Sequence, residues 1–307
     1  MTLERFHPIG TPGEAWTQAH KDEWRGTCSR ERSYRDEVLA RLEGLDPSLA
    51  VHSYGALSID SERFPLYAVQ SAKPDPSLPW ALVTGGVHGY ETSGVQGALR
   101  FLRDVAPSYL DRVNLLVAPC VSPWGYEVIH RWNPHAVDPN RSFVPDSPSE
   151  EAAAVMQLVQ RTSGPFLVHL DLHETTDTDE TEFRPALAAR DGKPFEPGEI
   201  PDGFYTVGDT NNPELEFQGA IIGGVEAVTH IAPPDDNGQI IGSDVVLPGV
   251  ILYPCAELGL CAGVTQARFK TTTEVYPDSP KATDEICNRA QVAAVQAAFD
   301  YALTHGA

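Results

Sequence analysis

The chain has 307 residues, which is enough to bury a sizeable core, and we expect one domain over residues 1–307. Its 43 acidic and 22 basic residues give a formal net charge of -21, which argues against nucleic acids and anionic membranes as partners. No apolar stretch approaches the roughly 18 residues of a membrane helix, and the N-terminus lacks a signal pattern. We therefore predict a cytoplasmic location.

The first part of the chain predicts alternating strands and helices. Residues 1–32 mix Gly, Pro, Trp and charged residues without a clear period, so we expect them to wrap the domain surface. An amphipathic helix is predicted over residues 34–45. Further strands are predicted at 64–69, 80–84, 113–118 and 166–172, and further helices at 94–105 and 148–162. This order predicts an α/β fold with a mixed, mostly parallel central sheet covered by helices on both faces.

Capping signals locate two of the helices. Ser147 is suited to cap a helix that has Pro148 at its first position, with Glu150 completing a capping box. A strand is predicted at 269–275, and Thr283 and Gly306 are expected to bound a long Ala-rich helix. Residues 185–265 are rich in Gly and Pro and predict short strands joined by long loops. The five cysteines lack metal-site spacing, so we expect buried free thiols.

The first segment with chemical potential follows the strand predicted at 80–84. His88 and Glu91 are three residues apart in a turn that opens a helix, and they offer a nitrogen and an oxygen ligand of the kind that suits Zn²⁺. Taken alone, this pair is more often part of an ordinary loop. A third ligand should come from another strand end, because open α/β sheets bind ligands beyond the carboxyl ends of their strands.

Two histidines compete to be the third ligand. His169 and His173 share one face of a predicted strand but lie roughly 13 Å apart at about 3.3 Å per residue, so only one can lie at the rim. His173 directly precedes a polar run, and we predict that it is the ligand. His169 is then a buried or supporting histidine. Two nitrogens and one carboxylate oxygen leave a coordination position open for water, as catalytic zinc sites do.

A polar turn follows later in the chain. Asn140 and Arg141 place an amide beside a guanidinium, an arrangement suited to forking onto a carboxylate, although a surface turn with a solvated arginine is the simpler interpretation in isolation. An acidic run after His173 has a similar double interpretation. It could favour cationic substrates, but we expect a solvated face for its members Asp177, Asp179, Glu180 and Glu182.

In their order along the chain, these segments resemble the zinc carboxypeptidases. The resemblance covers about residues 35–305 and rests on five segments: His88-Gly89-Tyr90-Glu91, Ser122-Pro123-Trp124-Gly125-Tyr126, Arg131, Val137-Asp138-Pro139-Asn140-Arg141-Ser142-Phe143 and Asp171-Leu172-His173. It implies that one zinc ion is held by His88, Glu91 and His173. It also implies that Asp138 orients the ring of His88.

The resemblance implies roles for residues that contact the substrate. Asn140 and Arg141 would bind the terminal carboxylate, and Arg131 would polarise the scissile carbonyl. The family places its general base on a late strand shortly before the last helix, where Glu257 and Glu274 compete. Glu274 is closer to the last helix, and we predict that it takes a proton from the zinc-bound water and delivers it to the leaving amine.

The resulting prediction is a zinc-dependent hydrolase, a carboxypeptidase that cleaves an amide next to a free carboxylate in a small peptide. A second hypothesis is an N-acyl amino acid deacylase similar to aspartoacylase and succinylglutamate desuccinylase. Those enzymes carry an extra β domain after the catalytic glutamate, whereas only residues 275–307 follow Glu274 here. A cell-wall peptide amidase and a zinc-binding module without turnover are two further hypotheses. The tyrosine that covers the substrate stays open among Tyr205, Tyr253 and Tyr276.

Overall fold

The computed structural model describes residues 5–306, so residues 1–4 of the predicted N-terminal segment and residue 307 lie outside the described residues. The strands are β1 Leu49–Ala56, β2 Pro65–Ser71, β3 Trp80–Gly85, β4 Asn114–Ala118, β5 Phe166–Glu174, β6 Tyr205–Asp209, β7 Gln239–Ile240, β8 Ser243–Asp244, β9 Val250–Tyr253 and β10 Phe269–Val275. The helices are α1 Gln18–Thr27, α2 Tyr34–Glu37, α3 Thr92–Asp104, α4 Pro123–Val128, α5 Glu150–Arg161, α6 Arg184–Arg190, α7 Leu215–Glu226 and α8 Asp284–His305. None of the helices within residues 5–306 has the length and apolar character needed to cross a membrane.

Eight strands form one central sheet in the order β1-β2-β4-β3-β5-β10-β6-β9, while β7 and β8 pair separately. The pairs β4-β3, β3-β5, β5-β10 and β6-β9 are parallel, and β1-β2, β2-β4 and β10-β6 are antiparallel. The predicted α/β class with a mixed, mostly parallel sheet flanked by helices is therefore confirmed. β3 and β4 are buried along their whole length, which explains why their sequences are apolar runs without alternation.

Helices α3 and α7 both pack against α8, and all three helices pack against the sheet. Along α8, the alanines at 290, 294, 298 and 302 are fully buried at a spacing of four residues, so they form one small-residue face on the helix. Thr283 caps the start of α8 by accepting a hydrogen bond from the Ile286 amide, and Gly306 follows its last residue. Both boundaries agree with the sequence prediction within two residues.

Two predicted helix starts or lengths are wrong. The helix predicted at 34–45 is a short α2 followed by a tighter turn at Leu39–Leu42, and the break at Val38 leaves this side chain buried. The helix predicted to start at Pro148 begins at Glu150. Ser149 rather than Ser147 caps it, because the Ser147 hydroxyl donates instead to the carbonyl oxygen of Ser142.

An aromatic cluster joins the N-terminal segment to the body of the fold. Trp16 and Trp24 lie with their ring centroids 6.1 and 5.4 Å from that of Trp132. Trp132 in turn packs edge-on against Phe183 at 5.6 Å. The first part of the chain therefore contributes buried aromatic rings to the fold, in addition to the helix α1.

Small residues allow the strand ends and the helix α3 to approach each other closely. A Cβ atom added at Gly94 of α3 would overlap the carbonyl oxygen of Leu172 in β5, and one added at Gly89 would overlap the backbone at Gly125. Gly86 has φ +60°, a left-handed conformation that glycine adopts without strain. This close packing brings the turn 86–91 against the end of β5.

We expect Gly94→Ala to lower the free energy of unfolding by about 1 to 3 kcal/mol, because the added methyl group forces α3 away from β5. Gly223→Ala is the matched control, since Gly223 lies in the exposed interior of α7 with no atom within 4 Å of the added Cβ. That variant should be more stable than the wild type by about 0.5 to 1 kcal/mol. Urea unfolding measures both changes, and a destabilised Gly223→Ala or a neutral Gly94→Ala would contradict this account.

Candidate metal centre and its cleft

Three predicted ligands meet where β3 and β5 end side by side. His88, Glu91 and His173 are buried, and one ligand atom from each lies within 4.8 Å of the other two. The Glu91 carboxylate lies between the two rings, with Oε1 2.7 Å from His88 Nδ1 and Oε2 2.7 Å from His173 Nδ1. Glu91 Oε2 nevertheless has no aligned hydrogen-bond partner among residues 5–306. A buried carboxylate oxygen without such a partner is a group that a cation satisfies, and the two nitrogens and one oxygen suit Zn²⁺.

Each histidine uses its second ring nitrogen to contact another carboxylate. His88 Nε2 lies 3.0 Å from Asp138 Oδ1, the contact that the resemblance implied. His173 Nε2 lies 2.6 Å from Asp171 Oδ2, and the sequence pattern had given Asp171 no role. The signal was present, because alternate residues of a strand share a face and Asp171 is two residues before His173. These contacts fix which ring nitrogen faces the centre of the site.

The charges in this cluster depend on one another. Burial opposes the charged form of each group, but Asp171 and Glu91 raise the pKa of His173 well above its usual value. Burial alone would raise the pKa of Glu91, but His173 and His88 outweigh it and lower this pKa to about 2. The metal-free site therefore holds an ionised Glu91 and a protonated His173 at neutral pH.

His169 lies deeper in the sheet. Its ring nitrogens are 3.3 Å from the hydroxyl oxygens of Thr84 and Thr265, and the residue is fully buried. Burial lowers the pKa of His169 to about 4, so the ring is neutral. The structure places it outside the ligand group, as the spacing along the strand predicted.

A cleft of about 490 Å³ opens in front of the ligand group. Its lining includes five of the predicted site residues, namely His88, Arg131, Asn140, Arg141 and Glu274. Apolar walls come mainly from the part of the chain that the sequence left poorly defined, and they include Phe183, Leu187, Val207, Tyr253 and Leu260. The cleft can therefore hold a small molecule with both apolar and charged parts.

Glu274 lies in the cleft, whereas its competitor Glu257 does not. The parallel pairing of β10 with β5 sets Glu274 opposite His173, at the same edge of the sheet. Glu274 Oε2 accepts a hydrogen bond of 3.0 Å from the Thr175 hydroxyl, and burial raises the pKa of Glu274 to about 8. Glu257 is exposed and accepts hydrogen bonds from the side-chain amide of Asn211.

The two residues of the polar turn have different freedom to bind a ligand. Asn140 Oδ1 already accepts a hydrogen bond of 2.7 Å from the Cys261 amide, and its Nδ2 lies 3.4 Å from His173 Nε2, so both ends of the amide have a partner within the protein. Arg141 donates to the carbonyl oxygen of Asn140 and makes no ion pair within residues 5–306. Of the predicted carboxylate-binding pair, Arg141 is thus the charged group that makes no direct ion pair among residues 5–306, although the nearby Asp138 opposes the lowering of its pKa by burial.

The tyrosines and the acidic run fall into separate environments. Tyr205 and Tyr253 line the cleft, but Tyr276 lies outside this lining and donates to Asp177. In the acidic run, Glu182 is exposed as predicted, whereas Asp179 is buried and contacts Arg131. The expected solvated face is therefore wrong for Asp179, because Asp179 lines the cleft together with Phe183.

Comparison with known protein sequences finds one matching family and several curated carboxypeptidases. Residues 77–192 match a family described as the succinylglutamate desuccinylase/aspartoacylase catalytic domain. Carboxypeptidase 2 of Trichophyton rubrum is 30% identical over 159 residues, an alignment that covers 46% of this chain and 29% of that protein. The chain thus spans less than a third of the length of the curated relatives that it matches.

Solved structures share the fold. An inferred metallopeptidase from Shewanella amazonensis has a TM-score of 0.62 at 22% identity, covering 87% of this chain and 91% of that chain. A metallo-carboxypeptidase from Burkholderia cenocepacia has a TM-score of 0.60 at 15% identity, covering 89% of this chain and 69% of that chain. At these identities the likeness shows the fold alone. With the family match, it confirms the predicted resemblance to metallocarboxypeptidase-like hydrolases.

We expect the metal-free protein to bind about one equivalent of Zn²⁺ and to release about one proton at pH 7, because His173 must lose its proton to become a ligand. The affinity should rise with pH for the same reason. Calorimetry in two buffers of different ionisation enthalpy measures both quantities. His173→Gln should abolish tight binding, while the exposed His135 provides the control variant His135→Gln; equal binding by the two variants would contradict the assigned ligand group.

Proposed function

We propose that the protein is a zinc-dependent carboxypeptidase, because His88, Glu91 and His173 can hold a metal ion beside a cleft that Arg141 and Glu274 also line. In this proposal it cleaves an amide bond next to a free terminal carboxylate of a small peptide. Its cytoplasmic location stays a prediction from the sequence. The proposed roles of the site residues rest on the positions of their side chains.

One observation carries the proposal. A His-Glu-His ligand group, a half-buried glutamate and an arginine without an ion-pair partner among the described residues all converge on one small cleft. These are the three functions that hydrolysis beside a carboxylate requires: a metal site, a group that moves protons and a cation that holds the substrate. A zinc-binding module without turnover has no need for Glu274 in this position.

The chain's own side chains divide the chemical work between them. His88, Glu91 and His173 would hold Zn²⁺, which when bound lowers the pKa of water to about 7 and acts as a Lewis acid. Glu274 takes a proton from the attacking water and returns it to the nitrogen of the leaving amine. In the metal-free site, burial raises the pKa of Glu274 to about 8, so its carboxyl group holds a proton readily when no cation lies beside it.

Two arginines have separate proposed roles. Arg131 donates to the carbonyl oxygen and stabilises the negative charge that develops there. Arg141 binds the terminal carboxylate and thereby fixes which amide bond lies beside the metal site. Tyr205 and Tyr253, which line the cleft, are the remaining candidates for the tyrosine that covers the substrate.

A second candidate function is the hydrolysis of N-acyl amino acids. The family match favours this function, because residues 77–192 match a family described as the succinylglutamate desuccinylase/aspartoacylase catalytic domain. This reaction also cleaves an amide next to a carboxylate, so the same ligands, base and arginine would serve it. The two functions differ in which groups flank the bond, and therefore a substrate panel separates them.

The panel compares peptides with free C-termini, the same peptides with amidated C-termini, and N-acyl amino acids. We expect free peptides to be cleaved and amidated ones to react on the order of 100-fold more slowly, because Arg141 then lacks its charged partner. Arg141→Gln should remove most of this difference by slowing only the free peptides. Faster cleavage of N-acyl amino acids would support the second function and contradict the first.

We expect Glu274→Gln to retain zinc but to lower kcat by on the order of 10² to 10⁴, because the amide can neither accept nor deliver the proton. In the wild type, activity should fall towards low pH, since a protonated Glu274 cannot act as a base. Glu257→Gln is the matched control and should retain wild-type activity. If the zinc-loaded Glu274→Gln protein turned over at the wild-type rate, the proposed base would be wrong.

A further inference from the structure

Asp179 has contacts that its place in an exposed acidic run did not predict. The residue is buried at 7% exposure, and Oδ1 accepts a hydrogen bond of 2.8 Å from the Tyr90 hydroxyl. The same oxygen lies 3.3 Å from Arg131 Nη1, and Oδ2 accepts a hydrogen bond of 2.9 Å from the Thr176 amide. Asp179 thus joins the turn after β5 to the residue that precedes the ligand Glu91.

Arg131 is held from three directions. Asp179 and the Tyr90 hydroxyl contact Nη1, and Asp138 accepts from Nε at 3.2 Å. The guanidinium carbon lies 4.3 Å from the centre of the Phe183 ring. The second terminal nitrogen, Nη2, has no hydrogen-bond partner in the part of the chain that the structure describes. Arg131 therefore keeps a free donor while its positive charge faces three carboxylates, those of Asp138, Asp179 and, at 3.9 Å, Glu91.

This environment discriminates between two kinds of acceptor. A neutral carbonyl oxygen can still accept a hydrogen bond from Nη2. A carboxylate would be repelled by Asp138 and Asp179, because like charges at these distances and partial burial interact strongly. Arg141, whose contact is a backbone carbonyl, meets no such carboxylate within hydrogen-bond distance over residues 5–306.

We propose that Asp179 is a positioning residue that, together with the Tyr90 hydroxyl, fixes Arg131 as a donor to the substrate carbonyl and prevents it from binding the substrate carboxylate. The carboxylate is thereby directed to Arg141, which sets the register of the substrate in the cleft. This inference deepens the proposed function, on which the role of Arg131 rests. The competing explanation is a purely structural role, in which Asp179 only stabilises the turn through its hydrogen bonds with Thr176 and Tyr90.

Asp179→Asn tests the two explanations because it removes the charge and keeps an acceptor for the Thr176 amide. We expect kcat to fall about tenfold with little change in KM, since Arg131 is no longer held at the carbonyl. We also expect zinc-loaded Asp179→Asn to bind benzoate, a simple carboxylate probe, about tenfold more tightly than the wild type, because Arg131 then becomes a second carboxylate site. Calorimetry measures this affinity without any turnover.

Three further variants identify the cause of the change. Arg131→Gln combined with Asp179→Asn should return benzoate affinity to the wild-type value or below it. Asp179→Glu restores the charge and should reverse the gain in affinity, which also serves if Asp179→Asn folds poorly. Glu182→Gln is the matched control, because Glu182 is an exposed acid of the same turn. Its kcat and its affinity for benzoate should both equal those of the wild type.

The outcomes are separable from those of the proposed function. Unchanged benzoate affinity in Asp179→Asn would overturn the positioning role and leave only a role in stabilising the turn. A gain that persists after Arg131→Gln would overturn it as well. If no substrate of the panel were cleaved by the wild type but Asp179→Asn bound benzoate more tightly through Arg131, the positioning role would stand and the proposed carboxypeptidase function would fail.

Discussion

The Glu91 carboxylate, buried between the rings of His88 and His173, is the interaction on which the site depends. Burying ionised groups is costly unless each one has a partner of opposite charge. Here the cost is offset because Asp138 and Asp171 face the outer ring nitrogens while Glu91 faces the inner ones. A divalent cation at the centre would add positive charge beside the Glu91 carboxylate, so binding the ion and stabilising the cluster would be the same event.

The sheet makes this arrangement possible. β3, β5 and β10 are parallel neighbours, so their carboxyl ends deliver the turn 86–91, His173 and Glu274 to one edge. The overlap that a side chain at Gly94 would produce shows how closely α3 approaches β5. The geometry of the site is therefore set by the pairing of the strand backbones and by the close approach that Gly94 allows between α3 and β5. Side chains on loops then complete the cleft.

Sequence patterns were sufficient where the answer depends on strand order and period. His173 could be separated from His169 because two residues on one strand face cannot both lie at its end, and the structure places only His173 with the two ligands from the turn. Glu274 could be favoured over Glu257 by its distance from the last helix. The helix α8 was predictable because Thr283 and Gly306 carry local capping signals that need no tertiary contact.

Sequence patterns failed to predict contacts where a side chain binds partners that are distant in the sequence or outside the local motif. Ser147 has the composition of a cap, but its hydroxyl donates to Ser142, and the helix starts two residues later. Asp179 has the appearance of a solvated acid, and nothing local shows that Tyr90 and Arg131 lie beside it. The walls of the cleft between residues 185 and 265 come from short strands and loops without a hydrophobic period, so no sequence rule could assemble them.

The aromatic cluster gives the N-terminal segment an indirect part in the chemistry. Trp16 and Trp24 support Trp132, Trp132 supports Phe183, and the guanidinium of Arg131 rests on the Phe183 ring. A disturbance near the beginning of the chain would reach Arg131 through this series of edge-on ring contacts. If Arg131 donates to the substrate carbonyl as proposed, such a disturbance would weaken that hydrogen bond without a direct effect on His88, Glu91 and His173. A mutation remote from the cleft would then imitate the loss of Arg131.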